Sequence, residues 1–278
     1  MEDGESLENC LSILTVFHNH VSFVDPYFKS FQNVFGSLPC KLIIIDNESN
    51  DGTQKRLELW KEKSGFDFEY HPLDVNHGFG AVHNRFVASA DTRNLLFLNP
   101  DVSFIYDFLS PCVHSLDRYE GLISPMCRDL SGKPYISYSP FYESEWFLAK
   151  KFLYTLYPLS EPQDVDWVQG SCLFLKKEQF LAAGGFRKEY FVFTEDMALA
   201  RDFKELGWGS KILKNQWVFH PNRELTTAKF QRMCSNLVHY FEGRDPKPYA
   251  RYLKFKAVSG QIPLDWVQLF EKSVGLTG

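Results

Sequence analysis

Three short apolar runs and one alternating stretch, separated by amphipathic segments, dominate the first hundred residues and restrict the fold class. Leu11–Phe17, Leu42–Ile45, Phe66–His71 and Leu95–Leu98 read as strands. Between the first two, Asp25 and Pro26 have the form of a helix cap and first residue. Val24, Phe28, Phe31 and Phe35 supply the apolar face there, and Gly36 the stop. Gln54–Lys63 is a second helix, and Phe79, Val82, Phe86 and Ala90 mark the face of a third. Such alternation predicts an α/β fold with a mostly parallel sheet and helices on both faces. Ligands in these sheets bind beyond the carboxyl ends of the strands.

Acidic residues collect at those ends. The second strand runs into the polar loop Asp46–Thr53, and the fourth into Asn99-Pro100-Asp101. A hundred residues later Thr194 is placed to cap a helix whose apolar face is Leu199, Phe203 and Leu206, stopped by Gly207. Glu195 and Asp196 then fall in its first turn, where the helix dipole favours negative charge and lowers a carboxylate's pKa. Each acid alone is ordinary punctuation of a turn or helix start. Read together, they fit a metal-binding acid and a catalytic base.

The middle of the chain is less regular. Gly121–Pro125 and Pro134–Tyr138 read as short strands, and Trp146–Pro158 as an aromatic, basic loop or helix over the site. Val165–Lys176 reads as a strand broken at Gly170-Ser171, where a backbone can approach a ligand closely. A helix is expected over Lys177–Ala183, strands at Lys211–Leu213 and Trp217–Phe219, and a helical face through Phe230, Met233, Leu237 and Phe241. These features favour one domain, with a main part, 1–222, and a helical extension packed on it, 223–278.

Composition removes several classes. A net charge of −5 argues against broad nucleic-acid binding, which needs a basic footprint. The six cysteines form no Cys-x-x-Cys pair and read as reduced core thiols. No apolar run approaches the ~18 residues of a membrane span, and Met1–Asn9 is acidic and polar, unlike a secretory signal. A cytoplasmic location is expected. Gly78-Phe79-Gly80 lacks the third glycine of a dinucleotide-binding turn, since His83 stands there. His18 and His20 alternate like zinc ligands without a recognisable second pair and read as solvated loop histidines.

Taken in order, Asp46 to Thr53, Asn76 to Gly80, Leu98 to Asp101, Gly184-Gly185-Phe186, Glu195-Asp196 and His220 resemble the motifs of family 2 glycosyltransferases. The resemblance covers about Leu11 to Pro221. It implies the A-type glycosyltransferase fold, a Rossmann-like sheet, and transfer with inversion from a nucleoside-diphosphate sugar. The Asn-Pro-Asp form and the Gly-Phe-Gly turn resemble the branch that contains bacterial rhamnosyltransferases, which implies dTDP-rhamnose as donor. Other hexosyl or N-acetylhexosaminyl transfer stays open. The family's usual Asp-x-Asp has Asn99 as its first member here, leaving Asp101 as the single carboxylate. That departure motivates the rival reading of a nucleotide-sugar-binding protein without turnover. The Gln-x-x-Arg-Trp motif of processive synthases is missing, so transfer of one sugar is expected.

The resemblance implies roles residue by residue. Asp101 and His220 would hold a divalent cation, Mg²⁺ or Mn²⁺, and Asp196 would be the general base, with Glu195 orienting the acceptor or supporting the loop. Asp46 resembles the acid that binds the base or ribose, although capping the Asp51-Gly52 turn accounts for it as well. Thr15 and Phe17 would line the nucleobase pocket, with core packing as the rival. Gly78, Asn84 and Asn99 would shape or contact the nucleotide, and Gly170 and Ser171 would lie beneath the donor sugar. Arg201, Arg223 and Lys229 could meet the diphosphate or be surface charge. The acceptor would be a glycan or a polyprenyl-linked glycan. Aromatics interleaved with Lys or Arg at Trp146–Tyr157 and Tyr249–Lys256 would allow peripheral membrane contact, a packed helix with a solvated face being the alternative.

Overall fold

The computed structural model of the chain describes residues 10–276 apart from 38, 64, 66, 157–162 and 223–224. The strands are β1 (Leu11–Phe17), β2 (Lys41–Asn47), β3 (Glu69–Leu73), β4 (Asn94–Leu98), β5 (Gly121–Arg128), β6 (Pro134–Tyr135), β7 (Tyr138–Ser139), β8 (Gln163–Val165), β9 (Trp167–Val168), β10 (Cys172–Lys176) and β11 (Gly209–Phe219). Their order in the main sheet is β3-β2-β1-β4-β10-β5-β11-β8, with β6 on β5, while β7 and β9 form a small second sheet. The pairs β1–β2, β1–β4, β2–β3 and β5–β11 are parallel. Because β10 runs antiparallel to both β4 and β5, its first residues lie at the edge where the parallel strands end. That edge gathers the site.

Helices cover both faces. Val24, Phe28 and Phe31 of helix Val21–Phe35 share one buried cluster with Leu57 and with Leu109, Cys112 and Val113 of helix Leu109–Leu116. On the other face, Val82 and Phe86 of helix Phe79–Phe86 and Phe203 of helix Glu195–Glu205 pack with Phe230, Leu237, Leu253 and Phe270. Those last four belong to helices Thr227–Tyr240, Lys247–Val258 and Leu264–Ser273, so the C-terminal helices bury their faces in the same core as Leu14 and Ile43. All six cysteines are buried.

Several boundaries differ from the sequence expectation. The first helix begins at Val21, with Pro26 inside it. The polar loop after β2 supplies its start, since His20 N donates to Thr53 Oγ1 and Val21 N to Asp51 Oδ2. Asp25 does not cap; it accepts from Arg56 and Trp60 Nε1 of the next helix. Leu206 lies past the end of helix Glu195–Glu205 and is exposed. Lys211–Leu213 and Trp217–Phe219 are one strand with an irregularity between them, and Pro134–Tyr138 divides into β6 and the start of β7. Phe147–Leu156 is helical, while Phe66 and Pro158 lie outside the described residues.

Candidate active site

Two cavities at the carboxyl edge of the sheet share a wall. The first, about 520 Å³, is lined by Val16, His18, Asn47 and Asp101 from the sheet side and by Lys229 and Arg232 from helix Thr227–Tyr240. The second, about 420 Å³, is lined by Gln169, Gly170, Ser171, Glu195 and Asp196. Phe79, Asn99, Val192 and Phe193 line both, so the two form one trough. A wider cleft of about 730 Å³, lined by Asn94, His114 and Lys176, opens where β4 begins and β10 ends, which is the opposite end of the sheet. It shares no lining residue with the trough.

The wall of the first cavity is built on Asn47. Its Nδ2 donates to Asn76 Oδ1 at 2.9 Å, and its Oδ1 accepts from His77 N at 3.0 Å, so the end of β2 fixes the turn before helix Phe79–Phe86. Gly78 sits in that turn at φ +81°, and a Cβ there would lie 2.3 Å from the Phe191 carbonyl oxygen. The Phe79 N–H donates to the same oxygen at 2.8 Å. Only a glycine permits this contact between the turn and the loop that precedes Glu195.

Asp101 and His220 meet at the trough's edge, with 3.4 Å between Oδ1 and Nε2. Backbone bonds between Ser103 and Phe219 hold the two segments together. The Tyr135 hydroxyl is hydrogen-bonded to His220 Nδ1 and sets the ring's orientation. With the proton on Nδ1, the Nε2 lone pair faces Asp101. One carboxylate and one imidazole on a single spot suit a divalent cation that takes its other ligands from phosphate and water. Among the described residues no group of three or more His, Cys, Asp or Glu forms a fuller cage.

Glu195 and Asp196 occupy the floor of the second cavity. Asp196 accepts from Gly170 N through Oδ2 at 2.9 Å and from Met197 N through Oδ1 at 2.8 Å. Glu195 is buried, and its Oε2 has no hydrogen-bond partner among the described residues. Burial first, and the neighbouring Asp196 charge second, push Glu195 up to about 8. Burial also raises Asp196, against the lowering effect of its two backbone donors. The sequence expectation of a pKa lowered by the helix dipole is therefore overturned, because desolvation outweighs the dipole in this closed floor. Both acids are thus held above the ordinary carboxylate range by the same desolvation, and Asp196 alone has a backbone donor on each oxygen to oppose it.

The approach to these acids is strained. Phe193 and Thr194 both have positive φ, +72° and +75°, which is unusual for residues with side chains. Thr194 consequently does not cap the helix with its side chain. Asn236, from helix Thr227–Tyr240, donates to the Val192 and Phe193 carbonyls at 2.8 and 2.7 Å and holds the loop in place.

The sequence profile described as Glycosyl transferase family 2 matches residues 12–180, more than half of the chain. The chain belongs to glycosyl transferase family 2. It is 26% identical over 218 residues to the N-acetylglucosaminyl-diphospho-decaprenol L-rhamnosyltransferase of Mycobacterium tuberculosis, covering 68% of each chain. It is 23% identical over 203 residues to the rhamnosyltransferase WbbL of Escherichia coli K12, covering 67% of this chain and 74% of that one. Among solved structures, GalNAc-T7 with UDP, GalNAc and Mn²⁺ superposes with a TM-score of 0.67 at 13% identity, over 98% of this chain but 55% of that one. The mannosyltransferase PcManGT from Pyrobaculum calidifontis, in complex with GDP-Man and Mn²⁺, gives 0.63 at 15% identity, over 98% and 76%. These neighbours share the A-type fold.

In this glycosyltransferase some expected residues meet and others do not. Asp101, Asn99, Gly78, Gly170, Ser171, Glu195 and Asp196 all line the trough. Thr15 and Phe17 do not. Both are wholly buried, Thr15 bonded to Tyr27 and Phe17 packed edge-on against the same ring, while Val16 between them lines the cavity. Asp46 is not a lining residue; it lies behind the wall, where it accepts from Ser49 N. Asn84 is turned to the Gly185-Phe186 turn, donating to Phe186 O and accepting from Phe186 N. Arg201 pairs with Glu143, and Arg223 lies outside the described residues. His18, His20, Asn47 and Arg232 line the first cavity without having been expected there.

Proposed function

We propose that this glycosyltransferase moves a single rhamnose from dTDP-rhamnose, with inversion, onto a hydroxyl of a lipid-linked glycan at the cytoplasmic face of a membrane. The observation that carries the reading is the shared wall of the two cavities. A nucleotide in the first would direct its sugar past Asn99 and Phe193 toward Asp196 in the second. Lys229 and Arg232 face the diphosphate in this arrangement, and Asp101 and His220 would hold its cation. A divalent ion there would offset the charge that develops on the leaving diphosphate. Asp196, kept ionised beside a protonated Glu195, takes the proton of the attacking hydroxyl from the side away from the leaving group. Support for rhamnose comes from the names of two relatives, and support for a diphospholipid acceptor from the name of one. Residues 1–222 would then be the catalytic domain and 223–278 an extension that holds its loop. No helix among the described residues is long and apolar enough to cross a membrane, so contact with one would be peripheral.

The test is a thermal-shift series with dTDP-rhamnose, UDP-N-acetylglucosamine and GDP-mannose, each with Mn²⁺ or Mg²⁺. A cognate donor at about 100 times its Kd should stabilise the fold by roughly 2.7 kcal/mol. Asp101→Asn should remove the part that depends on metal. Stabilisation by one of the other donors alone would sink the rhamnose assignment.

A further inference from the structure

Beside the second cavity lies a recess of about 200 Å³, and Ser139, Tyr142, Lys151 and Met233 line both. Two stacked aromatic pairs form its walls. Tyr142 lies on Tyr249 at 3.9 Å and 4°, and Phe230 on Trp266 at 4.5 Å and 9°. Two lysines from different helices enter it: Lys151 of helix Phe147–Leu156 and Lys256 of helix Lys247–Val258. Lys151 Nζ donates to Ser139 Oγ at 3.2 Å, and Lys256 Nζ lies 5.7 Å from the Tyr252 ring centroid. Burial first, and the Lys256 charge second, pull Lys151 down to about 8. The adjacent Lys150 is engaged differently, in an ion pair with Asp166 at 3.0 Å. Leu225, on the rim, is 43% exposed.

Two like charges held in an aromatic recess oppose each other, and an anion between them turns that repulsion into attraction. Flat apolar walls suit an unsaturated hydrocarbon chain, and continuity with the Asp196 cavity suits a sugar attached to the same molecule. We infer that this recess seats the linkage of the acceptor, with its phosphate or diphosphate between Lys151 and Lys256 and its prenyl chain against the Tyr142–Tyr249 face, leaving past Leu225. The inference rests on the acceptor side of the proposed transfer and adds the residues that recognise it.

The full chain, with chelator present, is titrated calorimetrically with geranyl diphosphate, inorganic pyrophosphate and geraniol. Geranyl diphosphate should bind, and the two fragments far more weakly. Lys151→Gln and Lys256→Gln should each weaken geranyl diphosphate roughly ten- to hundredfold, the range for hydrogen bonds to a charged group, and Lys256→Arg should keep it. Lys256 stands on a different helix, so its variants carry the test if Lys151→Gln does not fold. Equal affinity for pyrophosphate would overturn the prenyl contact. Binding that ignores both lysines, or is lost in Asp101→Asn, would put the probe in the nucleotide cavity and overturn the inference. Lysine-dependent binding in a protein that binds no nucleotide sugar would uphold the recess and overturn the donor reading.

Discussion

Adjacent acids on one helix turn have different surroundings. Asp196 has a backbone N–H on each oxygen, whereas the buried Glu195 Oε2 has no partner among the described residues. A buried carboxylate oxygen without a donor is costly to charge, and this pushes Glu195 up. Asp196→Asn should therefore cut transfer roughly 10²- to 10⁴-fold, the usual cost of a lost general base, with donor affinity nearly unchanged. Glu195→Gln, which imitates the protonated acid, should keep most of the activity. Steady-state kinetics on both variants with donor titrations decides it: a dead Glu195→Gln beside an active Asp196→Asn reverses the assignment. The place of this acid pair in the first turn of a helix was legible in the sequence. Its protonation was not, because desolvation depends on a cavity floor assembled from distant segments.

At the scale of elements, the loop before helix Glu195–Glu205 is held by Asn236, a residue 43 positions beyond Phe193. Two consecutive positive φ angles cost on the order of 1–3 kcal/mol each, and Asn236 offsets part of this with two hydrogen bonds to the Val192 and Phe193 carbonyls. Asn236→Leu should let the loop relax and move Asp196. Turnover should fall at least about tenfold while circular dichroism stays native, since loss of two bonds at one or so kcal/mol each is small beside the whole fold. Unchanged turnover would show that the loop holds itself. Other features of this scale divide along the same line. Strands β1, β2 and β4 were legible from short apolar runs, because a strand buried on both faces has that signature. The same burial hides side-chain direction: with no polar alternation in Leu11–Phe17, nothing local separates Val16, which lines the cavity, from Phe17, which does not. Arg232 and Asn236 escaped for a different reason. They sit on an amphipathic helix whose sequence gives its buried face but not the sheet edge that it crosses.

For the whole molecule, two buried groups give the fold opposite responses to pH. His83 is held neutral by burial, down to about 4 against an ordinary 6.5. Between those values the unfolded chain binds a proton that the native state refuses, so this contribution to stability is lost as pH falls below 6.5. Glu195 acts the other way. Its folded pKa of about 8 lies above the ordinary 4.5, so between them the native state keeps a proton that the unfolded chain releases. That contribution declines as pH rises from 4.5 to 8. The two slopes cancel in part below 6.5, and above it Glu195 acts without His83. One proton bound by the native state alone costs about 1.4 kcal/mol for each pH unit climbed, so stability should fall by on the order of 2 kcal/mol between pH 6.5 and 8. Asp196, raised by the same burial, contributes with the same sign. Glu195→Gln carries no proton to lose and should flatten most of this decline, leaving the variant the more stable protein at pH 8. Guanidinium unfolding at the two pH values measures the difference. A wild-type fold equally stable at both would mean that Glu195 is already ionised when folded, and the neutral partner that keeps Asp196 charged would be lost with it.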